Sequence, residues 1–161
     1  MLARGMTLAT PPALLFVCLG NICRSPLAEA AFRLEAGLAG VSVEADSAGT
    51  GDWHVGNPPD LRAQAVALRH GVDISGYQAR QVQPADFERF DWILALDLDN
   101  LSALKRLAPT APRARLSLLL DMVPGREGEP VADPYFGNDA GFDVTWRDVS
   151  DAARALVARL G

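Results

Sequence analysis

Residues 14–26 read Leu14-Leu15-Phe16-Val17-Cys18-Leu19-Gly20-Asn21-Ile22-Cys23-Arg24-Ser25-Pro26. Leu14 to Cys18 is a short apolar run, which predicts a buried strand. From Pro26 to Leu38 the spacing changes: Leu27, Ala30, Ala31, Leu34 and Leu38 recur at helical intervals. A strand that runs through one short loop into a helix is the opening unit of a parallel α/β sheet. In open sheets of this kind ligands bind beyond the carboxyl ends of the strands, where the loop 18–25 sits. Gly20 permits a tight backbone path there, and Asn21 tolerates a left-handed conformation. Ser25 stands where an N-cap belongs, with Pro26 of the type favoured at the first helical position. Successive loop amides and the positive end of the helix would together form a nest for an anion.

The rest of the chain repeats the alternation. Val41 to Ala45 predicts a second strand. A loop from Ser47 to Pro59 leads to a helix over Asp60 to His70, capped by Asp60 and stopped by Gly71. Trp92 to Leu96 predicts a third strand and Leu98 to Leu107 a helix ending before Pro109. Leu116 to Leu120 is the fourth strand candidate. Met122 to Gly141 is rich in Pro, Gly and Asp and too long for a plain connector, which suggests a functional loop. Phe142 to Leu160 closes the chain as an amphipathic helix with Val144, Val149, Ala152, Leu156 and Leu160 inward. The sum is one doubly wound α/β domain with an open sheet of about four parallel strands flanked by helices. It is expected to occupy residues 14–161, behind a flexible leader over residues 1–13.

Composition excludes several classes. The 161 residues suffice for one ordinary core, and the net charge of −5 is interspersed along the chain. Nucleic acid and anionic membranes reward a basic stripe, so neither is expected as a partner. No stretch approaches membrane-spanning length. Arg4 and the run Leu14-Leu15-Phe16-Val17 imitate a secretory signal poorly, because Pro11-Pro12 interrupts it and polar Asn21 and Arg24 follow. Two cysteines, Cys18 and Cys23, with His54 and His70 as the sole imidazoles, fit neither a zinc site nor a disulfide scaffold. A reducing, cytoplasmic setting follows.

Side chains distinguish the 18–26 loop from a nucleotide loop. Cys18 takes the first position, facing the place of the anion's central atom. The thiolate is the reactive form, and a helix N-terminus beside an arginine favours it. Arg24 can close the ring and hold two oxygens with its planar fork. Ser25 can donate its hydroxyl to the sulfur. Taken singly, Cys18 could be a buried apolar residue, Arg24 a solvated charge and Asp133 a turn residue before proline. Their conjunction favours chemistry.

This loop resembles the phosphate-binding loop of the low-molecular-weight protein tyrosine phosphatases nearly residue for residue. The resemblance extends to Asp46-Ser47-Ala48-Gly49-Thr50, Ala79-Arg80-Gln81, Leu94-Ala95-Leu96-Asp97 and Asp133-Pro134-Tyr135. It implies a flavodoxin-like fold and hydrolysis of phosphotyrosine without metal or cofactor. In that reading Cys18 attacks phosphorus, Arg24 and the amides of Leu19, Gly20, Asn21, Ile22 and Cys23 hold the equatorial oxygens, and Asp133 is the general acid and base. Asn21 and Ser47 would brace the loop, Ser25 would stabilise the thiolate, and Trp53 and Tyr135 would wall the substrate ring. Asp97 is expected to support the site or cap a helix, not to catalyse. His54 and His70 are expected to have no catalytic duty. The implied partners are a phosphotyrosine protein, inorganic phosphate or similar oxyanions, and by analogy a cognate tyrosine kinase.

Some readings stay open at this level. Trp53 could instead cover a core edge, and Cys23 could form a protective disulfide with Cys18. An arsenate reductase would need a downstream cysteine, and none follows Cys23. An arginine phosphatase is associated with Thr where Ile22 stands. A non-catalytic anion binder is disfavoured by Cys18, Arg24 and Asp133 together. Two departures from the family pattern are visible. Tyr77 occupies a position where many relatives carry a bracing His, and Phe136 follows Tyr135 where some carry a second tyrosine.

Overall fold

The computed structural model describes residues 10–161. Four strands, β1 (Ala13–Cys18), β2 (Glu44–Gly49), β3 (Trp92–Ala95) and β4 (Arg115–Leu118), form one sheet in the order β2-β1-β3-β4. All three pairings are parallel. The helices are α1 (Arg24–Ala39), α2 (Leu61–Arg69), α3 (Asp86–Arg89), α4 (Leu98–Leu107) and α5 (Asp139–Leu160). The expected doubly wound, flavodoxin-like α/β architecture with four parallel strands is what the chain adopts.

Side-chain alternation along β1 divides two cores. Leu14, Phe16 and Cys18 point into the layer made by α1, α2 and α5, while Leu15 and Val17 pack with Phe87, Phe90 and Leu104 beneath α3 and α4. All six residues of β1 are buried, as befits a central strand covered on both faces. Cys18 therefore ends the strand on the same side as the helix that follows it, at the crevice where the chain turns from β2 to β3. That crevice is the switch point of the sheet.

Several boundaries differ from expectation, each for a physical reason. The expected leader falls on residues outside the described ones except for 10–13, and Ala13 already belongs to β1. The second strand is Glu44–Gly49, not Val41 to Ala45. Its residues are mostly small because α1 packs on it and the 18–25 loop crosses its end. Val41 and Val43 are a lead-in packed partly against the core. In α1 the expected stripe is right at Leu27, Ala30 and Ala31, but Leu38 is exposed. The fourth strand stops at Leu118, and the buried Leu119 and Leu120 continue into a 3₁₀ turn, Leu119–Met122. In α5 the buried face is carried by Phe142, Thr145, Trp146 and Val149, while Val144 is turned outward. In these last two places apolarity was legible but direction was not.

Candidate active site

The loop between β1 and α1 turns through Asn21, whose φ of 58° is the left-handed conformation expected there. Ser25 does not cap α1. The helix begins at Arg24 with Cys23 at the N-cap, no side-chain cap and no acidic residue in its first turn. The Ser25 hydroxyl instead lies 3.0 Å from the Cys18 sulfur. A helix start with neither cap nor carboxylate keeps its donors and dipole available to an outside anion.

The Asn21 amide fastens this loop. Its Nδ2 donates to Ser25 Oγ at 2.8 Å and to Ser47 Oγ at 3.0 Å, and its Oδ1 accepts the Arg80 backbone N–H at 2.9 Å. Ser47 in turn donates to Glu29 at 2.9 Å. The end of β2 approaches closely: the amides of Thr50 and Gly51 donate to the carbonyls of Cys18 and Leu19. A Cβ on Gly49 would lie 2.7 Å from the Leu19 carbonyl oxygen, so only glycine fits.

Arg24 is buried. One Nη1 donates both to Asp97 Oδ2 at 2.8 Å and to the Val131 carbonyl at 2.9 Å, which orients the guanidinium. The other oxygen of Asp97 accepts the Asn100 N–H and caps α4. Asp133, distant in sequence, stands with Oδ2 3.7 Å from Arg24 Nη2. It is brought there by Val131, whose N–H bonds the Leu96 carbonyl at the end of β3.

A pocket of about 200 Å³ opens over the loop, lined by Cys18, Leu19, Gly20, Ile22, Cys23, Arg24, Asp133 and four residues at its mouth, Trp53, His54, Tyr135 and Phe136. Trp53 is 69 % exposed with its ring against Gly51, so it lines the mouth and does not seal a core edge. Cys18 and Cys23 are both free thiols, and burial pushes the Cys23 thiol well above its ordinary value. No group of three or more His, Cys, Asp or Glu suited to a metal occurs among the described residues.

Sequence reasoning missed four contributors. His54 lies against Gly20 at the mouth. Phe136, 92 % exposed, meets Tyr135 edge-on at 4.9 Å. Arg62 grips both the Asp60 carboxylate and the carbonyls of Tyr135 and Gly137. Glu29 is buried beneath Ser47. Glu29 alone had a visible signal, a carboxylate inside the apolar run Leu27-Ala28-Glu29-Ala30-Ala31-Phe32. Tyr77 donates nothing to Asn21; the backbone of Arg80 takes up that oxygen.

The family described as low molecular weight phosphotyrosine protein phosphatase matches residues 13–161. The low molecular weight protein-tyrosine-phosphatase YfkJ of Bacillus subtilis is 44 % identical over 150 residues, covering 92 % of this chain and 95 % of its own. A crystal structure of YfkJ superposes with a TM-score of 0.86 over 94 % of this chain and 95 % of that one, at 40 % identity. A low molecular weight protein-tyrosine-phosphatase of Streptomyces coelicolor is 47 % identical over 148 residues, 89 % of this chain and 90 % of its own. A Drosophila arginine phosphatase is similar in structure, with a TM-score of 0.85 at 31 % identity over 91 % of this chain and 96 % of that one.

Proposed function

The chain belongs to the low-molecular-weight phosphotyrosine protein phosphatase family, and on that premise we propose that it hydrolyses phosphotyrosine in proteins through a phosphocysteine on Cys18. The observation that carries this reading is the pocket, where the Cys18 sulfur sits 3.0 Å from a serine hydroxyl and Arg24 and Asp133, 3.7 Å apart, line the same cavity.

In the first step a lone pair of the Cys18 thiolate attacks phosphorus and the P–O bond to the tyrosine breaks. Asp133 gives its proton to the departing phenolate oxygen. Arg24 and the amides from Leu19 to Cys23 hold the equatorial oxygens as charge shifts onto the leaving group. Asp133, now ionised, takes a proton from water. The water oxygen attacks the phosphocysteine, the S–P bond breaks, and phosphate leaves with the thiolate restored. Ser25 donates to that thiolate as it departs. Nothing in these steps calls for a metal or cofactor.

Trp53, Tyr135 and Phe136 supply aromatic walls suited to a phosphoaryl group. Ile22 offers an apolar surface and no acceptor, which favours a phenyl ring over a guanidinium. We assign the phosphatase domain to residues 14–161 and the working compartment to the cytoplasm, where both thiols stay reduced.

The test is a panel of phosphotyrosine, phosphoserine and phosphoarginine peptides with Cys18→Ser as control. Phosphotyrosine should be hydrolysed fastest, and Cys18→Ser should bind vanadate yet turn nothing over. Substantial hydrolysis by that variant would sink the nucleophile assignment. Ile22→Thr should shift the ratio of specificity constants toward phosphoarginine; an unchanged ratio would move selectivity to another residue.

A further inference from the structure

A second cavity beside the first takes no part in these steps. It measures about 160 Å³ and is lined by Leu61, Arg62, Ala65, Arg69, Asp139 and Phe142, where the start of α2 meets the start of α5. The pocket proposed to take a phosphoaryl group measures about 200 Å³, so the second has room for one further side chain. Phe142 is buried, whereas Leu61 and Ala65, one turn apart on α2, are exposed, Leu61 at 78 %. A large aliphatic side chain left in water beside an open cavity is surface that a ligand gains by covering.

Arg62 joins the two cavities. Its guanidinium carbon lies 5.8 Å from the centre of the Tyr135 ring, which walls the first, and 4.6 Å from the centre of the Phe142 ring, which lines the second. Arg62 also donates to the Tyr135 and Gly137 carbonyls, so one side chain ties the wall of the first cavity to the rim of the second. The step across is short for a bound polypeptide. An extended chain advances about 3.3 Å per residue, and side chains two positions apart leave the same face. We propose that this cavity is a second substrate subsite, which takes a large apolar side chain about two or three residues from the phosphotyrosine of a protein bound in the first. The inference rests on the phosphotyrosine reading of the first pocket.

The charges at the rim select against an ionic occupant. Arg62 is engaged by Asp60, and Arg69 by Asp143. Asp139 adds a further carboxylate to the lining. An incoming Asp or Glu side chain would meet those three carboxylates, and both guanidinium groups are already paired. A lysine would have to give up water for Asp139 at an exposed site, where ion pairs contribute little. What the cavity offers unengaged is carbon, from Leu61 and Ala65 with Phe142 behind them. Leucine, methionine or phenylalanine suits that surface.

The test is a set of phosphotyrosine peptides in which Leu, Ser, Glu and Lys are placed in turn at each nearby position on either side. The control is p-nitrophenyl phosphate, a substrate too short to reach the second cavity. At a position two or three residues from the phosphotyrosine, Leu should give a kcat/KM about tenfold above Ser, carried by KM. Two variants separate the cavity from the rest of the surface. Leu61→Ser makes it polar and Ala65→Trp fills it, and both positions are exposed, so the fold is retained. Each should bring the Leu peptide down to the level of the Ser peptide through a higher KM, with kcat and turnover of p-nitrophenyl phosphate unchanged. A parent enzyme indifferent to every flanking residue, or one that prefers Glu or Lys, would overturn the subsite and leave phosphotyrosine hydrolysis standing. So would a preference for Leu that persists in both variants. Failure to hydrolyse any of the phosphotyrosine peptides would instead strike the reading of the first pocket, and the subsite with it.

Discussion

Asp133 was legible in the sequence through its Asp-Pro-Tyr setting alone, and its proposed duty is the one most open to test. A phenol of ordinary acidity leaves poorly, so proton donation should contribute on the order of 10²–10⁴-fold. An activated aryl phosphate needs far less of that help. Asp133→Asn should therefore slow phosphotyrosine hydrolysis much more than that of highly activated esters, and rates across a leaving-group series will report it. Equal losses across the series would make the role structural. Cys18, Arg24 and Asn21 could be nominated from sequence because all three lie in one short loop. Arg62 could not, because its partners are brought near only by the folded chain, and Glu29 stood out as a carboxylate in an apolar run without revealing what it would meet. Ser25 shows the converse. Its type suited a helix cap, but the sulfur and the Asn21 amide claim its hydroxyl first.

At the scale of elements, the start of α2 does more than begin a helix. Asp60 caps it by accepting the Arg62 amide at 2.8 Å, and its own amide donates to the Ile22 carbonyl of the loop. Arg62 spans from that carboxylate to the 131–138 loop, with its guanidinium 4.6 Å from the centre of the Phe142 ring. Arg62→Met should loosen Tyr135 and Asp133, raising KM and steepening the dependence on leaving group, while the melting temperature changes little. Unaltered kinetics would reduce the contact to decoration. The hydrogen bond from Arg62 holds Asp60 below the ordinary carboxylate range. A carboxylate depressed by folding stabilises the protein above its unfolded value, and that contribution is lost as pH falls through the folded one. Asp60→Asn should accordingly flatten the acid limb of stability against pH, measured by urea unfolding below about pH 5. Helix α2 was predicted with its cap because capping is a local matter. Strand β2 was misplaced because its small residues are dictated by α1 and the loop above it, not by strand propensity.

Taken whole, the molecule sets its bulkiest packing apart from the mouth of its pocket. The α1–α5 layer holds most of the large buried side chains, including Phe32, Phe142 and Leu156, whereas the pocket opens at the strand ends. Leu156→Ala should cost about 2–5 kcal/mol of stability with kcat per folded molecule unchanged, separating the two by denaturation and active-site titration. A matching fall in kcat would show that this packing and the pocket are coupled. The overall alternation of strands and helices was plain in the sequence because it follows period and length, while the facing of α5 at Val144 was settled only by what packs against it. The site draws on both ends of this plan: the strand that ends at Cys18 is the first among the described residues, and the loop that carries Asp133 follows it by more than a hundred residues. β1 is flanked only when β3 has been added, since it pairs with β2 on one side and β3 on the other. On a ribosome that interval lasts on the order of ten seconds. During it the nascent chain carries two thiols five residues apart with neither the finished sheet that buries them nor the helix end that favours a thiolate, so Cys18 gains its shelter and its reactivity together.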